Sequence, residues 1–155
     1  MNGEATVAGY TMDVITALEF VWGEGFLSPG GPEEVRAIVG DRDLRGKRIL
    51  DFGSGLGGID ILLAQTYGAR EVVGIDVVPD VVTLARALAE RKGVSDRVSF
   101  QVATPGPLDF PDGAFDVVFS KDAMVHVADK RALYQEIKRE IQPEVKRRLT
   151  PLPMG

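Results

Sequence analysis

A chain of 155 residues with 45% apolar and 26% charged side chains is long enough for one domain with a real core and too short for two of ordinary size. With no cysteine and a single histidine, disulfides, thiolate metal sites and histidine clusters are excluded and no metal is expected; a net charge of -5 would repel a phosphate backbone and argues against a nucleic-acid partner. No apolar run approaches a membrane span, and the N-terminus MNGEATVAGY lacks a basic stretch followed by an apolar one, so neither a membrane nor a leader is expected and the expected compartment is the cytoplasm. The basic cluster Lys146, Arg147 and Arg148 reads as a solvated tail.

In chain order, residues 11 to 22 carry Val14, Ile15, Leu18 and Val21/Trp22 at helical spacing, ended by Gly23 and Gly25. GFLSPGGPEEV is a loop, and Pro32, Glu33 and Glu34 suit the first turn of a second helix through about Val39. KRILDFGSGLGG then reads as a buried strand (Arg48 to Asp51) breaking into a glycine-rich turn that opens a helix, Ile59 to Tyr67, with Ile59, Leu62 and Leu63 facing in and Gly68 at its C-terminus. EVVGID, residues 71 to 76, is a second buried strand. Pro79 and Asp80 start a helix through Lys92, stopped by Gly93. RVSFQV, residues 97 to 102, alternates as a third strand, and FDVVF, residues 115 to 119, is a fourth. Asp129 caps a helix from Lys130 to about Ile141, which Pro143 stops.

Strands alternating with helices predict an α/β fold of Rossmann-like type: a mostly parallel sheet with helices on both faces, four recognisable strands and an N-terminal helical cap. The expected division is a cap over 1–46, a core over 47–142 and a tail over 143–155. A ligand should lie outside the carboxyl ends of the strands. Asp51 to Gly55, Asp76, Ala103 to Pro105 and Ser120 to Asp122 all fall there.

The glycines fit two patterns, Gly53, Gly55 and Gly57 as GxGxG or Gly53, Gly55 and Gly58 as GxGxxG, so spacing alone names no cofactor. Asp76 can accept both hydroxyls of a ribose, which serves NAD and S-adenosylmethionine alike. Asp51 favours the methyl donor, because a carboxylate before the turn suits a sulfonium and an ammonium and would repel a pyrophosphate. A structural glycine turn with no ligand remains a third reading.

The segments LDFGSGLGG, GIDVVPD and FDVVFSKDAMVHV resemble the motifs of the class I S-adenosylmethionine-dependent methyltransferases. GYTMDVITALEFVWGEGFLSPGG followed by LDFGSGLGG is similar to the start of the phosphoethanolamine N-methyltransferases, and the resemblance runs from about residue 9 to 142. It implies that Tyr10 and His126 close over the active site, with Asp122 as a second carboxylate for a cationic amine. Donor contacts are implied at Leu27, Ser28, Asp51, Gly53, Ser54, Gly55, Asp76, Val77, Thr104 and Lys121. Bland roles compete: Tyr10 as an ordinary amphipathic residue, Asp122 as a helix cap, His126 as a packing residue, Ser28 as a loop residue beside Pro29. Where relatives commonly place an acidic residue after the third strand, this chain has Ala103-Thr104-Pro105.

After Ile141 the sequence reads QPEVKRRLTPLPMG, where relatives continue into further strands that clamp a substrate phosphate. The C-terminal part of the usual seven-stranded fold is therefore expected to be missing and no clamp is carried over. FDVVF should lie at an apolar edge, which favours a homo-oligomer or a partner chain. The expected activity is methyl transfer from S-adenosylmethionine to a small amine of the ethanolamine or phosphoethanolamine type. Two alternatives stand beside it, a non-catalytic donor-binding subunit and an NAD-dependent oxidoreductase.

Overall fold

The computed structural model describes residues 6–7, 10–27, 30–104, 108–120, 135 and 139, with residues 6, 7, 10 and 22 described by backbone alone. Four parallel strands, β3 (Arg48–Phe52), β4 (Glu71–Asp76), β5 (Val98–Val102) and β6 (Val117–Phe119), lie in the order β5-β4-β3-β6. The register sets Asp51 beside Gly74 and Phe119, and Asp76 beside Val102. All carboxyl ends therefore meet at one edge of the sheet.

The strands are apolar on both sides because both sides are covered, as parallel sheets require. On one face Ile49, Val72, Val98 and Phe100 pack with Ile61 and Leu63 of α3 (Gly58–Gln65), with Val82, Ala85 and Leu88 of α4 (Pro79–Arg91), and with Val35 and Val39 of α2 (Gly31–Val39). On the other face Leu50, Val73 and Ile75 meet Ala114 and Phe115. There Phe110 stands edge-on to Phe115 at a centroid distance of 5.1 Å. Arg139 fastens this covering segment, donating from Nη1 to the Phe110 carbonyl at 2.7 Å and from Nη2 to the Leu108 carbonyl at 2.9 Å. β5 alternates over its first four residues, with Val98 and Phe100 buried and Ser99 and Gln101 exposed, and ends on an exposed Val102.

Several boundaries and faces differ from the sequence reading. β6 begins at Val117 rather than Phe115, because the Asp116 carboxylate accepts the Arg48 N–H at 2.9 Å where a strand carbonyl would otherwise do so. A two-stranded antiparallel ladder, β1 (Thr6–Val7) with β2 (Tyr10–Thr11), precedes α1 (Met12–Trp22) and has no counterpart in the expected elements. The apolar stripe expected on α1 is narrower than its spacing suggests: Ile15 is buried and Leu18 half-buried, while Val14 and Val21 are exposed. The helix after the glycine turn buries Ile61, Leu63 and Ala64, whereas Ile59 and Leu62 are half-buried. Of the helix expected over 130–141, only Gln135 and Arg139 fall among the described residues, and both are helical. β6 is the outer strand of the described sheet and pairs there with β3. No helix among the described residues is long and apolar enough to cross a membrane.

Candidate functional site

The turn after β3 is held by the end of β4. Gly53 and Ser54 both donate N–H bonds to the Ile75 carbonyl at 2.9 Å, and Gly57 donates to the Ser54 carbonyl at 3.1 Å. Asp76 completes the tether, its Oδ2 accepting the Gly55 N–H and its Oδ1 the Val78 N–H, each at 3.1 Å. Two of the glycines answer to different constraints. At Gly57 (φ 87°) a Cβ would sit 2.5 Å from Phe100 Cζ, so packing forbids a side chain. At Gly55 (φ 55°) a Cβ would meet nothing within 4 Å among the described residues. The tip of the turn borders open space, a cradle that a ligand can enter.

The N-terminal segment crosses this turn. Gly58, the first residue of α3, donates its N–H to the Gly25 carbonyl at 3.1 Å. The two backbones approach so closely that a Cβ on Gly58 would lie 2.7 Å from Gly25 O, and one on Gly25 would lie 2.8 Å from Gly58 Cα. Gly25 is held in turn by its own N–H donating to Glu19 Oε2 at 2.6 Å. The neighbouring Glu24 bridges Arg91 at 3.2 Å and Lys92 at 3.1 Å. Ile15, Leu56 and Val81 form a small buried cluster against which Leu27, Val78 and Leu84 pack. The first helix and its loop thus cover the end of the sheet where the polar residues gather.

Beneath the turn lies a pair of buried carboxyl groups. Asp51 is 1% exposed and Asp60, in the first turn of α3, is fully buried. Among the described residues no donor from another residue reaches their four oxygens; the Asp60 carboxyl has only its own backbone N–H nearby, and the two carboxyls face each other closely enough to share a hydrogen bond. Two carboxylates cannot make such a bond; one of them must carry a proton. Burial raises the pKa of both, and for Asp51 the charge of Asp76 pushes the same way. A helix N-terminus favours an anion by about 0.3–1 kcal/mol, but an effective burial penalty of several kcal/mol per ion outweighs it. Ser54 Oγ is likewise buried without a partner.

Of the other predicted site residues, Leu27 is half-buried, Val77 is 70% exposed just past β4, and Thr104 is exposed past β5. The Ala103 N–H donates to the Asp76 carbonyl at 2.8 Å, which brings Thr104 beside the Asp76 turn. Ser120 Oγ donates to the Phe52 carbonyl at 3.2 Å, so the chain leaves β6 beside the glycine turn. Ser28, Lys121, Asp122, His126 and the Tyr10 side chain lie outside the described residues. Asp60 and the Gly25–Gly58 crossing were missed by sequence reasoning. An acidic residue in a first helical turn needs no explanation from sequence, and the only signal was that Asp60 sits among apolar neighbours in GIDILLA. Two clefts of about 340 and 330 Å³ lie elsewhere, around Arg48 and Glu71 at the amino ends of the strands.

A parallel sheet with a glycine turn after one strand, an acid ending the next and a cradle at the carboxyl edge defines the Rossmann-like class of nucleotide-type ligand sites. Residues 43–149 match a family described as a methyltransferase domain, and the chain belongs to that family. It is 36% identical over 135 residues to phosphoethanolamine N-methyltransferase 3 of Arabidopsis thaliana, a match covering 86% of this chain and 27% of that protein. With the phosphoethanolamine N-methyltransferase of Plasmodium falciparum it shares 32% identity over 137 residues, covering 86% of this chain and 50% of that one. The crystal structure of Haemonchus contortus phosphoethanolamine N-methyltransferase 2 with phosphomonomethylethanolamine and S-adenosylhomocysteine superposes at a TM-score of 0.77. Identity there is 32%, over 88% of this chain and 32% of that one. The chain therefore spans about a quarter to a half of the length of these relatives.

Proposed function

We propose that this chain forms the S-adenosylmethionine site of a methyltransferase acting on a small amine of the ethanolamine or phosphoethanolamine type. The observation that carries the reading is the polarity of the cradle at Gly55. A dinucleotide pyrophosphate draws on free amides at the helix N-terminus, yet the Gly58 N–H is already engaged by Gly25, and Asp51, Asp60 and Asp76 crowd the same corner. That arrangement suits a ligand with a sulfonium and an ammonium and disfavours a pyrophosphate. The relatives' names and the ligands solved with the Haemonchus enzyme support the same donor and acceptor class.

The residues present fit the donor: the open side of Gly55 leaves room, and the unpartnered Ser54 hydroxyl and buried carboxyl pair await a polar group. When bound, S-adenosylmethionine supplies an electrophilic methyl carbon for in-line displacement. Asp76 spends one lone pair per oxygen on Gly55 and Val78, which leaves one on each for the ribose hydroxyls. Gly53, Ser54 and Gly55 present backbone to the ligand, Asp51 acts from beneath the turn, and Leu27, Val77 and Thr104 border it. Ser28 and Lys121 complete the donor contacts implied by the resemblance.

Rate must come from alignment and the exclusion of water, which the N-terminal segment clasped at Gly25 provides. A protonated amine has no lone pair, so His126, with a reference pKa near ~6.5, is assigned as the proton acceptor. Tyr10 closes over the acceptor beside His126, and Asp122 holds the amine's positive charge. Calorimetry with the methyl donor, followed by product detection with ethanolamine, phosphoethanolamine and their methylated forms, tests the reading. Donor binding with a methylated product supports it. Donor binding with no product across the panel leaves a non-catalytic binding module, and binding of NAD in place of the donor leaves an oxidoreductase.

A further inference from the structure

We propose that Asp60 is a positioning residue that shares a single proton with Asp51 beneath the glycine turn, and that a ligand bearing a cationic amine displaces this proton when it occupies the site. The inference rests on the reading of the cradle as a donor site, and it assigns a task to a residue outside the expected contact set.

Three features carry it. Asp51 projects from β3 and Asp60 from the first turn of α3, the two elements that the glycine turn joins, so the pair sits directly under the cradle. Both groups are buried, and among the described residues neither finds a donor from any other residue except its counterpart, Asp60 having besides only its own backbone N–H. One shared proton removes the repulsion between them and satisfies one oxygen on each; with no proton, two adjacent charges would be buried together. Asp76 adds a third carboxylate, pinned in place by the Gly55 and Val78 amides. Among the described residues, Asp60 from α3 and Asp76 from β4 are the titratable groups that bear on Asp51, and neither is a cation.

An arriving ammonium or sulfonium stabilises the doubly ionised pair, and the proton leaves to the solvent buffer. Affinity is then linked to pH: it strengthens as pH rises, by up to about tenfold per unit where one proton is exchanged. Asp60 also holds the Asp51 side chain in one orientation, which fixes the floor of the turn. Asparagine at position 60 would offer Asp51 a permanent N–H donor with nearly the same shape.

The test uses S-adenosylhomocysteine as the probe, titrated calorimetrically in two buffers of different ionisation enthalpy across a range of pH. The expected result for the unaltered protein is release of about one proton per ligand near neutrality. Asp60→Asn should still bind, but with the release abolished and the pH dependence of affinity flattened. A purely structural Asp60 would leave proton release unchanged in any variant that folds. Infrared spectroscopy of the ligand-free protein supplies a second measurement: a carboxylic-acid carbonyl band near neutral pH that Asp60→Asn removes supports the shared proton, and no such band overturns it even if the variant misfolds. Binding heat that does not depend on the buffer overturns the inference and leaves the donor site standing. No binding heat at all overturns the donor site, and this inference with it.

Discussion

The two ends of the sheet are both rich in charge, and they handle it in opposite ways. At the amino end Arg48 Nε meets Glu71 Oε2 at 2.9 Å with both side chains about a third or more exposed, and the Asp116 carboxylate takes the Arg48 N–H. Those charges are solvated and paired, and the clefts around them are open grooves. Among the described residues the carboxyl end instead buries two carboxyls that no other residue's donor satisfies, leaves the Ser54 hydroxyl unpartnered, and sets an open space above Gly55. Exposed pairs cost the fold little and carry little information, whereas buried and unsatisfied groups are expensive and persist where a ligand completes them. Satisfaction of polar groups, more than size of cavity, separates the site from the surface.

The variant that cuts deepest into this contrast is Asp76→Ala. It strands the Gly55 and Val78 amides, at about 1–3 kcal/mol for each that stays buried, and it removes the acceptors proposed for the ribose. Donor binding should fall below detection by calorimetry, with a measurable drop in thermal midpoint. Binding within a few-fold of the unaltered protein would break the contrast at its centre. Next is His126→Ala, which should spare donor affinity while slowing turnover by about 10² or more if the imidazole takes the amine's proton. Unchanged turnover would return His126 to a packing role.

Much of this end of the molecule was legible beforehand, because its rules are local. Gly53, Gly55 and Gly57 take left-handed backbone conformations and β-branched runs mark β3 and β4, so the strands, the turn and the strand-end positions of Asp51 and Asp76 could be read from local pattern. The Gly25–Gly58 crossing was not legible, since it joins segments far apart in sequence through backbone atoms that leave no residue signature beyond a glycine in each. Asp60 was hidden by a plausible alternative, a favourable charge at a helix start, and only the packing of α3 on the sheet turns it toward Asp51. The broad apolar face expected on α1 failed for a related reason. Helical spacing shows which residues share a stripe, while the width of the contact depends on what lies opposite, here chiefly Leu56 and Val81.

Gly55→Ala separates a packing role from a ligand role at the turn. None of the described residues lies within 4 Å of the added methyl, so the fold should lose only the left-handed backbone penalty of about 1–2 kcal/mol. Donor affinity should fall about tenfold or more, because the methyl enters the cradle. Loss of stability without loss of affinity would move the ligand elsewhere. A smaller effect is the pH dependence of the ligand-free fold. Asp51 and Asp60 have folded pKa values raised above their unfolded ones, so over that interval the folded state binds more protons than the unfolded state, and stability falls as pH rises. The thermal midpoint should therefore decline as pH rises above the ordinary aspartate value of 3.8 and through about 7, where Asp51 titrates in the fold, with a shallower slope in Asp60→Asn.

The smallest expected effect belongs to the amino end and tests the other half of the contrast. Glu71→Gln removes one partner of the Arg48 pair, which is screened by water on both sides, so stability should move by no more than about 0.5 kcal/mol. Glu71 begins the strand that Asp76 ends; five steps of ~3.3 Å put the two about 17 Å apart. That is roughly twice the screening length of ~8 Å at physiological salt, and the covered strand between them offers no mobile charge to relay the change. Donor affinity should accordingly stay within about twofold of the unaltered protein at that salt. A larger shift would mean that the charge at the amino end is felt at the cradle, and that the two ends of the sheet are not electrostatically independent.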